Sequence, residues 1–556
     1  MMVRSDSVRE FEAKKILIFV FFMTVSLYLQ FRVQVNSGFA LLYGDSYDAT
    51  IVATILEHWF NVFQGFSSWS ELNYFYPHAK TLGQTDGYFI AGLLYFPFRI
   101  SGLDPYLSSE LANVTLRGIG YVSFFVLSRR VFGLTFAWSL LGAILFVLSN
   151  NLTIHGQRLQ LATVSLAPLM AWLLWELFVS IRDGRRGSIL AYGAMSGIFL
   201  GAWSITCFYI TWFFIYFFVF FIAVSILFSG AMGRRFIVES VKSHYVVLLA
   251  VLLIAAASLV PLLSVYLPKA AETGMRPYES ALSNTVPWHG ILQVGTENFM
   301  FGEIYNKFLR LLSPGYTPSG EYYNTGLAPI LFVFAVAGAL IILRRKESSP
   351  SRLLWVSLAV TTAVTWLGVL NIGGHSLWYI LYHAFPGAKA LNVVGAYQLL
   401  LSIPVILLAM HYMQSISASL PRLILVVLVM MLCMEELNQG YTQLNRSHEL
   451  TKVSVSAPPE GCKAFYVSGW HGQDNITPMA VWVNNYYAHN VSAMLIAELV
   501  RLPTVNGVAS FNPADWNFGF PNNSDYDQRV RAYTDKHGLS SICKFDLEAR
   551  LWTKAW

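Results

Sequence analysis

Charged side chains are scarce in this chain. Asp, Glu, Lys and Arg make up 12% of its 556 residues, where a soluble globular chain carries about 25%. That deficit excludes an ordinary soluble enzyme. Cysteine is also sparse, with four residues in all. None lies in a CxxC pair or a Cys/His cluster, which argues against a zinc finger or ribbon. No P-loop, GxGxxG or GxSxG stands in a strand–helix context, so nucleotide-driven transport and serine-hydrolase chemistry have no support. Internal repeats and low-complexity tracts are absent. The net charge of +6 is scattered over short loops and reads as membrane topology rather than nucleic-acid binding.

What is present is apolar length. Hydrophobic residues make up 55% of the chain and aromatics 15%. They gather in runs of roughly 17–22, the length that crosses about 30 Å of hydrocarbon. Such spans must be helical, because lipid satisfies no backbone hydrogen bond. We read about eleven spans, near 16–33, 109–128, 134–150, 161–181, 189–207, 208–228, 245–267, 326–343, 353–371, 396–412 and 420–437. Basic clusters fall between alternate spans: Arg4 to Lys15, Arg129-Arg130, Arg182 to Arg186, Arg234-Arg235, Arg344-Arg345-Lys346 with Arg352, and Arg422. The positive-inside rule then places the N-terminus in the cytoplasm and the C-terminus outside. The first run has a basic start but no clear small-x-small cleavage site, so it reads as a retained helix. The run 87–101 is short and contains Pro97. It reads as a helix at the outer interface; as a short tilted span it would give twelve.

The expected fold is therefore an α-helical polytopic membrane protein with large outer loops near 34–108 and 268–325. A membrane module covers 1–437, and an extracytoplasmic α/β domain of roughly 100 residues follows in 438–556. Within that tail, 464–467 and 480–483 read as strands, while 491–502 and 525–537 read as helices. Cys207 and Cys433 sit in apolar spans and pack as small hydrophobes. Cys462 and Cys543 lie in the tail, where an oxidising compartment would join them as a disulfide; two buried thiols are the other reading.

Candidate chemistry concentrates where spans meet water. Asp45 and Asp48 lie in Tyr43-Gly44-Asp45-Ser46-Tyr47-Asp48, just past the first span. Asp45 has an ordinary reading as the cap of a helix starting near Tyr47. It also has a functional one, as a carboxylate held at headgroup depth. The second outer loop, 150–160, has no acid and offers His155 and Arg158 instead. In the third, Lys269, Arg276 and Lys307 are candidate phosphate binders, with Arg276 suited to bidentate contact; Glu272 and Glu279 are reserve acids. Lys389 is a further cation. Glu435 and Glu436 end the last span and read as a helix end at the interface.

This order of a first span, a large outer loop with an early Asp, interfacial helices and a string of spans resembles the GT-C class of membrane glycosyltransferases. The segment Asp86-Gly87-Tyr88, Arg117 at the start of the next span, and the Leu127 to Gly133 span end carry the same resemblance. It covers about residues 16–230. It implies transfer of a sugar from a polyprenyl-phosphate donor to a cell-envelope glycan or lipid acceptor, at the outer face of a bacterial-type inner membrane. In that class the loop acid serves as general base or acceptor-binding group; by position it is Asp45, with Asp48 the second choice. Asp86, Arg117, His155, Arg158, Arg276 and Lys389 would bind substrate. Membrane lipids are the other expected partners, and nucleic acid is not one. Many members carry an acid in the second outer loop, and here there is none. A divalent metal is therefore left open, and no cofactor is assigned. Two rival readings are a lipid-linked saccharide transporter or flippase, which would need charges inside several spans, and a non-catalytic scaffold for which Asp45 is dispensable.

Overall fold

A computed structural model describes residues 2–317, 325–344, 350–440, 442–469 and 478–556. Arg345 and Lys346 of the basic clusters lie outside them. The described chain is mostly helical. Helices occupy all eleven apolar segments, from Met2–Gln30 to Arg422–Glu435. Among the described residues, seven helices are long and apolar enough to cross a membrane. One of these, Phe208–Thr273, runs for 66 residues. Straight, it would measure about 100 Å, more than three hydrocarbon cores. It is not straight: the backbone leaves the helical region at Gly230 and His244. The two arms match the separate runs read at 208–228 and 245–267, and Arg234-Arg235 lies between the breaks. The segment at 87–101 forms one short helix, Phe89–Ile100, with Pro97 inside it.

Close helix contact rests partly on glycine. Gly193, Gly197 and Gly201 recur every four residues along Arg186–Thr206 and face Val251, Ala255 and Ser258 of the long helix. A Cβ on Gly201 would stand 2.3 Å from the Ser258 carbonyl oxygen. This is the small-xxx-small packing that lets helix backbones approach in lipid.

Among the described residues, seven short strands complete the fold. β1 (Leu41–Leu42) pairs antiparallel with β4 (Leu444–Asn445), and β2 (Val286–Pro287) pairs parallel with β3 (Leu370–Asn371). In the tail, β5 (Ala464–Ser468) pairs parallel with β6 (Ile542–Asp546), and β7 (Leu551–Lys554) adds to β6 antiparallel. A disulfide joins Cys462 to Cys543, with Cα atoms 5.7 Å apart. The strand read at 464–467 is β5, and the helix read at 525–537 is Tyr526–Lys536. The strand read at 480–483 is instead the start of a 23-residue helix, Pro478–Val500, that also takes in most of 491–502. Ala480 to Val483 are too few apolar residues to show a helical period, and the buried part of this helix lies farther on, over 488 to 498. A short apolar run cut from a helix looks like a strand.

The tail shares its interior with the first loop. Leu42, Ala49 and Ala53 pack in one cluster with Val453, Phe465, Ala493 and Ile496. Glu498 of the tail accepts hydrogen bonds from Asn61 Nδ2 at 3.0 Å and the Asn73 amide at 3.0 Å, and lies 3.5 Å from His58 Nδ1. Backbone bonds add to this, from Phe75 N to Asn506 O at 3.1 Å and from Thr504 N to Asn73 O at 2.8 Å.

Glu435 and Glu436 act as caps for other helices. Glu435 is 0% exposed, and its two oxygens accept from the Ile330 and Leu331 amides at 2.8 Å each. Glu436 accepts from the Asn150 amide at 2.7 Å. These are first-turn donors that a helix cannot satisfy itself. Replacing Glu435 with Ala should cost about 1–2 kcal/mol of stability, and Glu435→Gln less, because the amide oxygen still accepts. Thermal unfolding in detergent measures the difference.

Candidate functional site

The acidic turn is built by local chemistry. Gly44 has φ +106°, a region L side chains rarely enter, and a Cβ there would meet Gln157 Cβ at 2.7 Å. Glycine therefore lets the first loop lie against the second. Asp45 Oδ1 accepts from the amides of Tyr47 and Asp48 at 2.8 Å each. These bonds start the helix Asp48–Phe63. Asp45 remains exposed to solvent. Even so, desolvation by the surrounding protein, and then repulsion from Asp48, raise its pKa against the pull of the two amides and Arg158.

Asp48 has a different fate. Arg158 Nε donates to its Oδ2 at 2.9 Å, both side chains being 30% exposed, and Gln157 Nε2 lies at 3.4 Å. This pair ties the first loop to the second. His155, three residues before Arg158, is buried with its Nε2 lacking a hydrogen bond. Burial first, and then the positive charges of Arg158 and Arg117, lower its pKa to about 3. It is a neutral imidazole and a weak proton acceptor. Arg117 is 1% exposed and donates from Nη2 to the Leu152 carbonyl at 2.7 Å. The structure places it beneath the second loop, apart from the exposed acids.

Asp86 lies on the far side of Tyr88. The amides of Gly87 and Tyr88 donate to the carbonyls of Ile205 and Thr206 at 2.9 and 3.0 Å. This stitches the segment to a helix end and sets Asp86 against the next helix, where it accepts from the Phe208 amide at 3.2 Å. Burial raises its pKa to about 7 despite that bond. Tyr88 donates to Gln160 at 2.5 Å and lies within electrostatic range of Asp48, Asp86 and Arg158. Tyr209 similarly lies within range of both Asp86 and Arg276.

Arg276 and Lys389 meet at the other edge. The Arg276 amide donates to the Lys389 carbonyl at 3.1 Å. Tyr382 donates to the Arg276 carbonyl at 2.5 Å, and Lys389 Nζ sits 5.7 Å from the Tyr382 ring centre. The Arg276 guanidinium reaches the tail, donating to the Ser510 carbonyl at 2.7 Å and lying 4.6 Å from the Phe511 ring centre. The tail also supplies Tyr487, whose ring is 6.2 Å from that of Tyr47 and within electrostatic range of Asp48 and Arg158.

Asp45, Asp48 and Arg158 thus form one group, Arg276 and Lys389 form another, and Asp86 lies between them, within range of Tyr88 on one side and Tyr209 on the other. Arg117 and His155 support the first group from beneath. Tyr88, Gln160, Tyr209 and Tyr487 join these residues, though the sequence marks them only as members of an aromatic-rich or polar loop. The acidic pair does not fit a protein-held divalent cation. Asp45 is turned to amides, Asp48 to a guanidinium, and among the described residues no third acid or imidazole joins them. The described cluster with metal-ligand spacing lies elsewhere, at His78, Asp515 and His537. A scan against protein-family models finds no match for this chain, and no curated protein matches it.

Asp86 gives a test of this electrostatic picture. Its native pKa of about 7 stands above the ordinary 3.8. Between those values the native state binds more protons than the unfolded one, so stability falls as pH rises. The wild type should lose thermal stability from about pH 4 to about pH 7 relative to Asp86→Asn, which keeps the shape without the titration. Parallel curves for the two proteins would contradict the assignment.

Proposed function

We propose that the protein is a membrane glycosyltransferase of the GT-C kind, using a polyprenyl-phosphate-linked sugar as donor and a cell-envelope glycan or lipid as acceptor. The observation that carries this reading is Asp45: accessible, crowded by protein, and within the field of Arg158 from the second outer loop. In the reaction, an acceptor hydroxyl oxygen attacks the anomeric carbon. Its proton passes to Asp45, and the polyprenyl phosphate leaves with the electron pair of the broken glycosidic bond. A raised pKa suits Asp45 to this step, because a general base works best when its pKa approaches the working pH. Asp48, paired with Arg158, orients the turn. Arg158, Arg276 and Lys389 stabilise the phosphate as it leaves. No step requires a metal.

The same reading orients the chain in a bacterial-type inner membrane. The N-terminus is cytoplasmic, eleven helices span, and the tail forms an extracytoplasmic domain that closes over the acceptor side. The Cys462–Cys543 bond suits an oxidising compartment. Helices whose apolar faces carry almost no internal charge disfavour a flippase path.

Membranes containing the Asp45→Asn protein should transfer labelled sugar from polyprenyl-phosphate donors about 10²–10⁴-fold more slowly than wild type. Wild-type transfer should fall on acidification at a pH above the ordinary carboxylate range, following the raised Asp45 pKa. Undiminished transfer by a folded Asp45→Asn variant removes Asp45 as the base. No transfer by the wild type across a broad donor panel favours a scaffold.

A further inference from the structure

Away from the acidic turn, three titratable side chains from two distant stretches of chain converge. His78 belongs to the first loop. Asp515 and His537 belong to the tail, and His537 caps the end of the helix Tyr526–Lys536. One donor atom from each lies within 4.8 Å of the others. His78 Nε2 is 3.2 Å from Asp515 Oδ1, and His537 Nε2 is 2.9 Å from Asp515 Oδ2. We propose that His78, Asp515 and His537 form a binding site for a borderline divalent transition metal of the Zn²⁺ type, which fastens the tail to the first loop.

Four observations support a metal over a plain hydrogen-bonded triad. The donor set is two imidazole nitrogens and one carboxylate, the composition of a three-ligand zinc site that keeps a fourth position for water. Zinc–ligand bonds of about 2.0–2.1 Å put tetrahedral ligands about 3.3 Å apart. The two contacts at Asp515 are already close to that spacing. His78 Nε2 is buried yet makes no hydrogen bond of good geometry, so a ring nitrogen points at the cluster without a donor–acceptor role there. The other ring nitrogen, Nδ1, faces Glu272 Oε1 at 3.9 Å, and Lys269 Nζ holds the second oxygen of Glu272 at 2.8 Å. The 3.9 Å gap is too long for a hydrogen bond, but it places an outer acid where a short side-chain movement gives the carboxylate–histidine–metal order.

The competing cation is Lys536, whose Nζ lies 2.7 Å from Asp515 Oδ2. Its side chain is 61% exposed, so it can swing into solvent as a metal arrives. The three ligands are 18–23% exposed, open enough for an ion to enter from water. Beside them Tyr533 donates to the Tyr76 carbonyl at 3.0 Å, so the clip would reinforce a seam already held by hydrogen bonds. The site is independent of the transferase reading.

The test uses the full chain in detergent, stripped with a chelator and titrated with Zn²⁺ alone and with Co²⁺ alone. One saturable equivalent of Zn²⁺ is expected, with a higher thermal midpoint and, for Co²⁺, a ligand-field absorption band. His78→Gln, on a loop and tolerant of folding, should abolish the band. Glu272→Gln should weaken binding about 10–100-fold while keeping it. Wild-type protein that shows no saturable Zn²⁺ binding, or a His78→Gln/His537→Gln protein that binds as tightly as wild type, overturns the proposal.

Discussion

A helix that starts at the edge of a bilayer leaves its first amides without partners, and neither lipid nor its own chain supplies them. This protein answers with carboxylates. Asp45 takes two amides at the start of Asp48–Phe63, and Asp104 takes two at the start of Pro105–Arg130. Asp86 takes one at Phe208, Glu435 takes two at Ile330 and Leu331, and Glu436 takes one at Asn150. Each carboxyl also sits at the positive end of a helix dipole. In a chain with only 31 acids, this use shapes the rest. It fixes where helices begin and brings loops 100 to 300 residues apart into register.

That pattern explains what could be read from sequence. The Asp45 cap is local, so its donors lie two and three residues on and are visible in a string of letters. The partners of Glu435 and Glu436 lie 104 to 286 residues away, and nothing in the sequence announces them; their position at a span end was the whole signal. The Asp48–Arg158 pair is hidden for the same reason. Apolar run length was enough to locate all eleven helical segments, because each had to be long and continuous. It failed at 480–483, a four-residue apolar run too short to show a helical period. The stripe Gly193, Gly197, Gly201 was not singled out from the sequence, and its partner emerges only once the long helix is seen to fold back.

The tail is less separate than a composition change near 438 suggests. β4 completes a ladder with β1, and Glu498 sits among His58, Asn61 and Asn73 of the first loop. A sequence boundary marks where charge and turn residues return; it does not mark where a core ends. Because the tail packs into the first loop, its Phe511 and Ser510 reach Arg276 and its Tyr487 comes within range of Asp48. Truncation at 438 would open the core as well as remove these contacts, so point substitutions are the sounder probe of either.

The acidic pair shows how neighbours of one chemical type acquire different roles. Asp45 and Asp48 are three residues apart and begin as equivalent candidates. Arg158 comes from another loop and takes one of them, giving Asp48 a fixed counter-charge at 2.9 Å. Asp45 receives only amides and the more distant field of that same arginine. Desolvation and the charge of Asp48 then push its pKa upward. A carboxylate repelled by its neighbour accepts a proton more readily. The asymmetry comes from the second loop, in the very place where an acid was expected and an arginine stands. That arginine engages one acid of the pair and leaves the other to the backbone.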